Sequence, residues 1–245
     1  MPKFKCTVAY DGTYFSGYQV QPDKRTVQRE IEAALTRMHK GEEIRIIASG
    51  RTDAGVHARA QVFHFESSLN IPPQNWCRAL NTLLPDDINI TRVEHVHDTF
   101  HARFNVKKKV YRYRILNSDR RDMFRRLYTY YLSAPLDIKK MKAACPYFEG
   151  THDFTSFCAS NTSVVDKVRT IYKLDISPDH DELIIQVAGS GFLYQMVRIM
   201  TGALIDVGAG KIKPEEIEQI LSKKDRRLAP KTAPAHGLTM WQVVY

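Results

Sequence analysis

Long apolar runs are missing from these 245 residues. None approaches the ~18 residues that a bilayer crossing requires, so no membrane-spanning helix is expected. Cysteine is scarce: Cys6, Cys77, Cys145 and Cys158 show no CxxC spacing, which argues against a zinc ribbon or a disulfide scaffold. The opening Met1-Pro-Lys-Phe-Lys5 has no apolar leader segment, and the expectation is a soluble, cytoplasmic chain with reduced thiols. Cofactor signatures are also missing. There is no P-loop, no Gly-x-Ser-x-Gly elbow and no HExxH helix. Gly189-Ser-Gly191 lacks the third glycine of a dinucleotide fingerprint, and His95, His97 and His101 have no cysteine or carboxylate at ligand spacing. Any chemistry is therefore expected from protein groups alone, with no cofactor and no metal.

What is present is enough for a packed core. Hydrophobic residues make up 43% and aromatics 10%, which excludes wholesale disorder, and the length suits one large domain or two small ones. The net charge is +9 and unevenly placed. Residues 1–104 hold 13 basic and 12 acidic side chains, net +1, whereas 105–245 hold 23 and 15, net +8. The window 103–126 alone has ten basic residues against Asp119 and Asp122, also net +8. A solvated basic face is the plain reading. Interleaved aromatics (Phe104, Tyr111, Tyr113, Phe124, Tyr128, Tyr130, Tyr131) favour a nucleic-acid partner.

Periodicity predicts a strand at 4–10, a helix from an N-cap at Thr26, and strands at 44–48 and 60–65. A helix at 74–84 and a strand at 88–96 follow. The first hundred residues thus read β-α-β-β-α-β, a split βαβ layout. The second half reads as strands at 110–116, 171–176, 183–188 and 239–245, with helices at 138–148, 192–207 and 214–222. We expect an α/β protein of the α+β type with two ferredoxin-like halves, 1–104 and 105–245, meeting across a cleft.

Three features suggest chemistry. Gly50-Arg-Thr-Asp-Ala-Gly55 sets Asp53 on a tight loop between two predicted strands, where a functional side chain or an ordinary turn both fit. Arg198 is the one charge of an otherwise apolar helix up to Asp206. An unpaired buried guanidinium costs several kcal/mol, so it needs an acceptor, either Asp53 or a structural partner elsewhere. In the strand from Lys107 to Ile115, odd positions place Lys107, Lys109, Tyr111 and Tyr113 on one face, with Arg112 and Arg114 on the other. Tyr111 offers a ring for stacking and a hydroxyl for proton transfer, with core packing the alternative.

Several segments, in order, carry a resemblance: Tyr10-Asp-Gly-Thr-Tyr-Phe-Ser-Gly-Tyr-Gln19, Gly50-Arg-Thr-Asp-Ala-Gly-Val-His57, Lys109-Val-Tyr-Arg-Tyr113, Phe192-Leu-x-x-Met-Val-Arg198 and Ala233-Pro-Ala-His-Gly-Leu238. The sequence resembles the TruA family of tRNA pseudouridine synthases over essentially its whole length. The resemblance implies isomerisation of uridine to pseudouridine at positions 38, 39 and 40 of the tRNA anticodon stem-loop. It also implies a shared mixed or antiparallel sheet with a central active-site cleft, no cofactor and a homodimer. By the same resemblance Asp53 is the catalytic aspartate, Tyr111 the active-site tyrosine, Arg198 the basic partner of the aspartate, Arg51 a residue that helps extrude the base, and Leu238 an apolar wall of the pocket. Lys107, Lys109 and Arg112 join them as expected substrate-binding cations. Two rivals stand beside this reading: a non-catalytic RNA-binding protein on the same platform, and a metal-dependent nuclease using Asp11 and Asp53.

Overall fold

The computed structural model describes residues Met1–Tyr245. The chain divides into two compact units, Met1–Lys107 with Met240–Tyr245, and Lys108–Thr239. The last strand returns its final residues to the first unit, where the sequence reading places them in the second half. The reason is local pairing: the Lys107 N–H donates to the Val244 carbonyl at 2.8 Å, and Tyr245 Oη donates to the Ala102 carbonyl at 2.7 Å.

The first unit is built on β1 (Lys3–Tyr10), whose strict alternation buries Phe4, Cys6, Val8 and Tyr10 on one face. It lies antiparallel between β3 (His57–Glu66) and β4 (Ile88–Val96), with Cys6 opposite both Phe63 and Val93. Helix α1 (Val27–Met38) buries Val27, Ile31, Ala34 and Leu35 at helical spacing. Helix α2 (Pro73–Leu83) opens on a proline, which costs nothing where the N–H has no intrahelical partner. Its Trp76 closes an aromatic cluster with Phe4 and Phe65, ring centroids 5.1–5.3 Å apart. Each such buried ring stabilises by about 2–3 kcal/mol, so this cluster anchors the sheet that carries the loops.

Strand β2 is only Ile47–Ala48, shorter than the 44–48 expected. Ile44 and Ile46 are buried as a strand would bury them, but the Glu32 carboxylate takes the Ile46 N–H at 3.1 Å. A side chain has replaced the neighbouring strand as acceptor.

In the second unit β5 (Lys108–Asn117) runs antiparallel to β9 (Glu182–Gly189), which pairs in turn with β8 (Val168–Asp179), and β8 with β7 (Gly150–Asp153). Strand β6 (Tyr130–Leu132) adds to β5 in parallel, so the sheet is mixed. Helix α3 is Ile138–Ala144, and Pro146 turns its continuation into a 3-10 turn instead of the helix to 148 that periodicity suggests. Helix α4 (Met196–Gly208) starts four residues later than expected, because Gln195 takes a left-handed conformation (φ 60°) that no regular helix accommodates. Helix α5 (Glu216–Lys223) buries Ile217, Ile220 and Leu221. Strand β10 (Leu238–Val244) ends the chain's regular structure.

Candidate active site

In the first unit, the Asp53 loop is set by a turn and by the neighbouring loop after β1. The Val56 N–H returns to the Asp53 carbonyl at 3.1 Å, closing a β-turn whose third residue, Gly55, has φ 77°. That is the position of a type II turn that requires positive φ, so glycine is dictated here. Asp53 is left half-buried at the head of the turn, with Arg51 exposed two residues before it.

Residues 11–18 hold this loop from one side. The Tyr18 N–H donates to the Thr52 carbonyl at 3.1 Å, and the Gly55 N–H to the Phe15 carbonyl at 3.4 Å. Tyr10 Oη and Thr52 Oγ1 share a buried hydrogen bond of 2.8 Å. Burial raises the Tyr10 phenol well above its ordinary range, so it stays neutral. The Gly12 N–H donates to His57 Nδ1 at 3.0 Å, and Asp11 Oδ1 stands 3.1 Å from the same nitrogen. A Cβ on Gly12 would lie 2.0 Å from the Val56 carbonyl oxygen, and one on Gly17 3.0 Å from that of Thr52. The two loops therefore meet backbone to backbone, without room for a methyl group. At the base, Ser49 Oγ donates to Gln61 Oε1 and Gln61 Nε2 to the Gly50 carbonyl, tying the incoming segment to β3. Arg25 braces the outer loop, stacking 4.1 Å over Phe15 while its guanidinium grips Asp87 at 2.7 and 2.9 Å. The outcome is an Asp53 whose backbone is held by its own turn and by the loop beside it.

In the second unit, Tyr111 is buried on β5 with its ring edge-on to Phe192 at 5.1 Å. Arg112 points from the other face and donates to Gln186 Oε1 at 2.7 Å. Arg198 is half-buried on α4, and its Nε donates to the Ala233 carbonyl at 2.8 Å. The Ala233 N–H donates back to the Arg198 carbonyl at 3.1 Å. This strap, residues 229–238, is pinned again by Tyr113, whose Oη donates to the Pro234 carbonyl at 2.8 Å and whose ring leaves no room for a Cβ on Gly237. Leu238, at the end of the strap, is buried. Burial raises the Tyr113 phenol far above its usual value, with Tyr130 adding to the rise and the Arg198 charge opposing it, so the hydroxyl remains a donor. Tyr113 and Ala233 are supports of Arg198 that the sequence reading does not single out. Only the order of the two motifs hints that Arg198 and the strap belong together.

The structure also partitions the basic window. Arg114 pairs with Glu182 at 2.7 Å, and Arg125 with Asp122, Asp181 and Glu182 at 2.7–3.0 Å. At least two of the ten cations are thus engaged within the protein.

Taken unit by unit, this is a mixed α/β protein with a half-buried aspartate on a firmly held turn in one unit, and a buried tyrosine and a strapped arginine in the other. By its own chemistry an aspartate can act as a nucleophile or base, a tyrosine can stack or transfer a proton, and an arginine can hold an anion. A family model described as tRNA pseudouridine synthase matches residues 7–105 and 144–245. Arg51, Asp53, Arg198 and Leu238 lie inside the matched stretches, and Lys107, Lys109, Tyr111 and Arg112 between them. The chain is 55% identical over 245 residues to tRNA pseudouridine synthase A 1 of Bacillus cereus, covering 100% of this chain and 99% of that protein. It is 52% identical over 244 residues to tRNA pseudouridine synthase A of Bacillus subtilis, covering 99% of each. A solved archaeal box H/ACA sRNP Nop10-Cbf5 complex aligns over 82% of this chain and 43% of that one, at 14% identity and a TM-score of 0.38, too distant to carry an argument. The chain belongs to the tRNA pseudouridine synthase family, whose members are isomerases. No helix is long and apolar enough to cross a membrane.

Proposed function

We propose that this chain isomerises uridine to pseudouridine at positions 38, 39 and 40 of the tRNA anticodon stem-loop, with Asp53 as the catalytic carboxylate and no cofactor. The observation that carries this reading is the mounting of Asp53: a half-buried carboxylate on a type II turn, clamped by the Gly12 and Gly17 backbone approaches. The reaction breaks the C1′–N1 glycosidic bond, rotates the uracil, forms C1′–C5 and returns the C5 proton to solvent. A carboxylate can open it by adding to the ring, by attacking C1′ or by removing a ribose proton. All three need an ionised, fixed oxygen.

The other roles follow the chemistry of each side chain. Arg51 is exposed beside Asp53 and assists the base in leaving its stack. Tyr111 stacks on the target base and serves the C5 deprotonation. Arg198, directed by the strap, holds the carboxylate ionised. Leu238 walls the pocket, and Lys107, Lys109 and Arg112 bind phosphate. The working form is a cytoplasmic homodimer.

The test is Asp53→Asn, an isosteric change on the turn that should leave folding and tRNA binding intact. Tritium release from C5-labelled uridine in tRNA is expected to fall to background. Release near the wild-type rate refutes the assignment, and strand scission in place of isomerisation would favour a nuclease.

A further inference from the structure

Residues 118–128 form an exposed loop between the two stretches matched by the family model. Its internal order is unusual for a surface loop. Arg125 is engaged by three carboxylates, Asp122 on its own loop and Asp181 and Glu182 where β8 turns into β9. The Phe124 N–H donates to Asp122 Oδ1 at 2.8 Å, and Arg126 Nη1 to the Met123 carbonyl at 2.7 Å. The Tyr128 and Thr129 N–H groups both return to the Arg125 carbonyl, at 2.9 and 3.0 Å. Asp122 and Asp181 are both held below the ordinary carboxylate range by Arg125, so these pairs persist near neutral pH.

None of this framework uses the Phe124 side chain, which stands 93% exposed with Met123 beside it at 58%. Arg120 and Arg121 precede the ring and Arg126 follows it. Arg120 is only loosely associated with Asp119 at 3.9 Å, and Arg121 rests 5.1 Å over Tyr131. Arg125 has its charge cancelled internally, so the outward charges of the loop are those three cations against the single carboxylate of Asp119.

We infer that this loop is a second RNA-contacting element, in which Phe124 stacks on a base or ribose and Arg120, Arg121 and Arg126 meet the adjacent phosphates. An aromatic ring flanked by guanidiniums is the combination that single-stranded and loop nucleotides require. The framework orders the loop in advance, so binding loses little entropy. Self-association through this loop is disfavoured, because the three arginines outnumber Asp119 and two copies of a net-positive surface repel. The inference rests on the tRNA reading and extends it beyond the groups around Asp53.

The experiment uses the full chain, with Kd for a tRNA transcript measured between about 50 and 200 mM salt, tritium release at saturating tRNA, and mass by sedimentation. Phe124→Ala should raise Kd by about tenfold, within the range that loss of one stacked base gives. Its turnover at saturation should stay within twofold of wild type, its Tm should be unchanged, and Phe124→Tyr should restore binding. Arg120→Gln with Arg121→Gln and Arg126→Gln should lower the slope of log Kd against log salt by about 2. An unchanged Kd in Phe124→Ala, while the wild type binds and modifies tRNA, overturns this inference and leaves the functional reading standing. A change of sedimenting mass in Phe124→Ala also overturns it, making the loop an interface between copies. Failure of the wild type to bind tRNA removes both.

Discussion

Replacing Gly202 by alanine sets two effects against each other. Gly202 lies in the middle of α4, where alanine is the better helix former by about 0.8–1.0 kcal/mol, so helix propensity alone favours the variant. The new Cβ, however, would stand 2.0 Å from the carbonyl oxygen of Lys231 and 3.2 Å from its carbon. Backbone presses on backbone here, so no flexible side chain can move aside. Relief requires the strap at 229–238 or the helix to shift by about an ångström, and overpacking of this kind costs about 1–3 kcal/mol. The same shift strains the paired hydrogen bonds between Arg198 and Ala233, each worth about 1 kcal/mol. The steric term wins, for a net loss of about 1–3 kcal/mol.

At about 2–4 °C per kcal/mol for a chain of this size, Tm should fall by about 2–12 °C. A misdirected Arg198 should also lower kcat, by about a hundredfold for a displacement near an ångström. Gly208→Ala on the same helix is the internal control. Its Cβ would meet Met141 Sδ at 2.7 Å and Cγ at 2.8 Å, atoms of a flexible side chain that can yield more than a backbone carbonyl, so its Tm should fall less. Differential scanning calorimetry and tritium-release kinetics on both variants decide the matter. A Gly202→Ala protein more stable than wild type, with full turnover, would refute the claim that the strap is seated against the helix backbone and steers Arg198.

Gly12→Ala should be the corresponding lesion in the first unit, because its Cβ would lie 2.0 Å from the Val56 carbonyl oxygen. Turnover is expected to fall about a hundredfold with a smaller change in tRNA affinity, and wild-type kinetics would show that the clamp does not orient Asp53. His64 gives a pH dependence. Burial, with His101 and Lys3 nearby, pushes its pKa down to about 4 from 6.5, and its Nδ1 accepts the Ala102 N–H at 3.1 Å. Between those values the unfolded chain binds a proton that the native state refuses, so stability should fall as pH drops from 6.5 to about 4. Tm profiles of wild type and His64→Asn over that range check it, and parallel profiles would rule His64 out.

How far the amino-acid sequence foretells this molecule depends on the range of each interaction. Strand β1 and helices α1 and α2 are legible because period-2 and period-3.6 burial are local. The two-residue β2 is not, since its shortening depends on a carboxylate from α1, and the late start of α4 depends on one left-handed residue. Asp53 is legible as a carboxylate between glycines, but its clamp, built from residues about forty positions earlier, is not. The basic window is legible only as a total, since Asp181 and Glu182 lie more than fifty residues from the Arg125 they engage.

Arg198 shows the limit most clearly and supplies the last test. An isolated cation on an apolar helix announces that an acceptor exists, but no local pattern says that one acceptor is a backbone carbonyl 35 residues on. Arg198→Lys separates charge from direction. Lysine keeps the charge, but it lacks the Nε–H that fixes the plane of the guanidinium against Ala233. If direction matters, kcat should fall by about tenfold to a hundredfold, with KM for tRNA nearly constant and Tm lowered by no more than a few degrees. If only charge matters, the lysine variant turns over within twofold of wild type, while Arg198→Met does not. The second outcome would reduce the strap from a device that aims the proposed partner of Asp53 to a piece of packing, and would leave the Tyr113–Pro234 bond with a structural role alone.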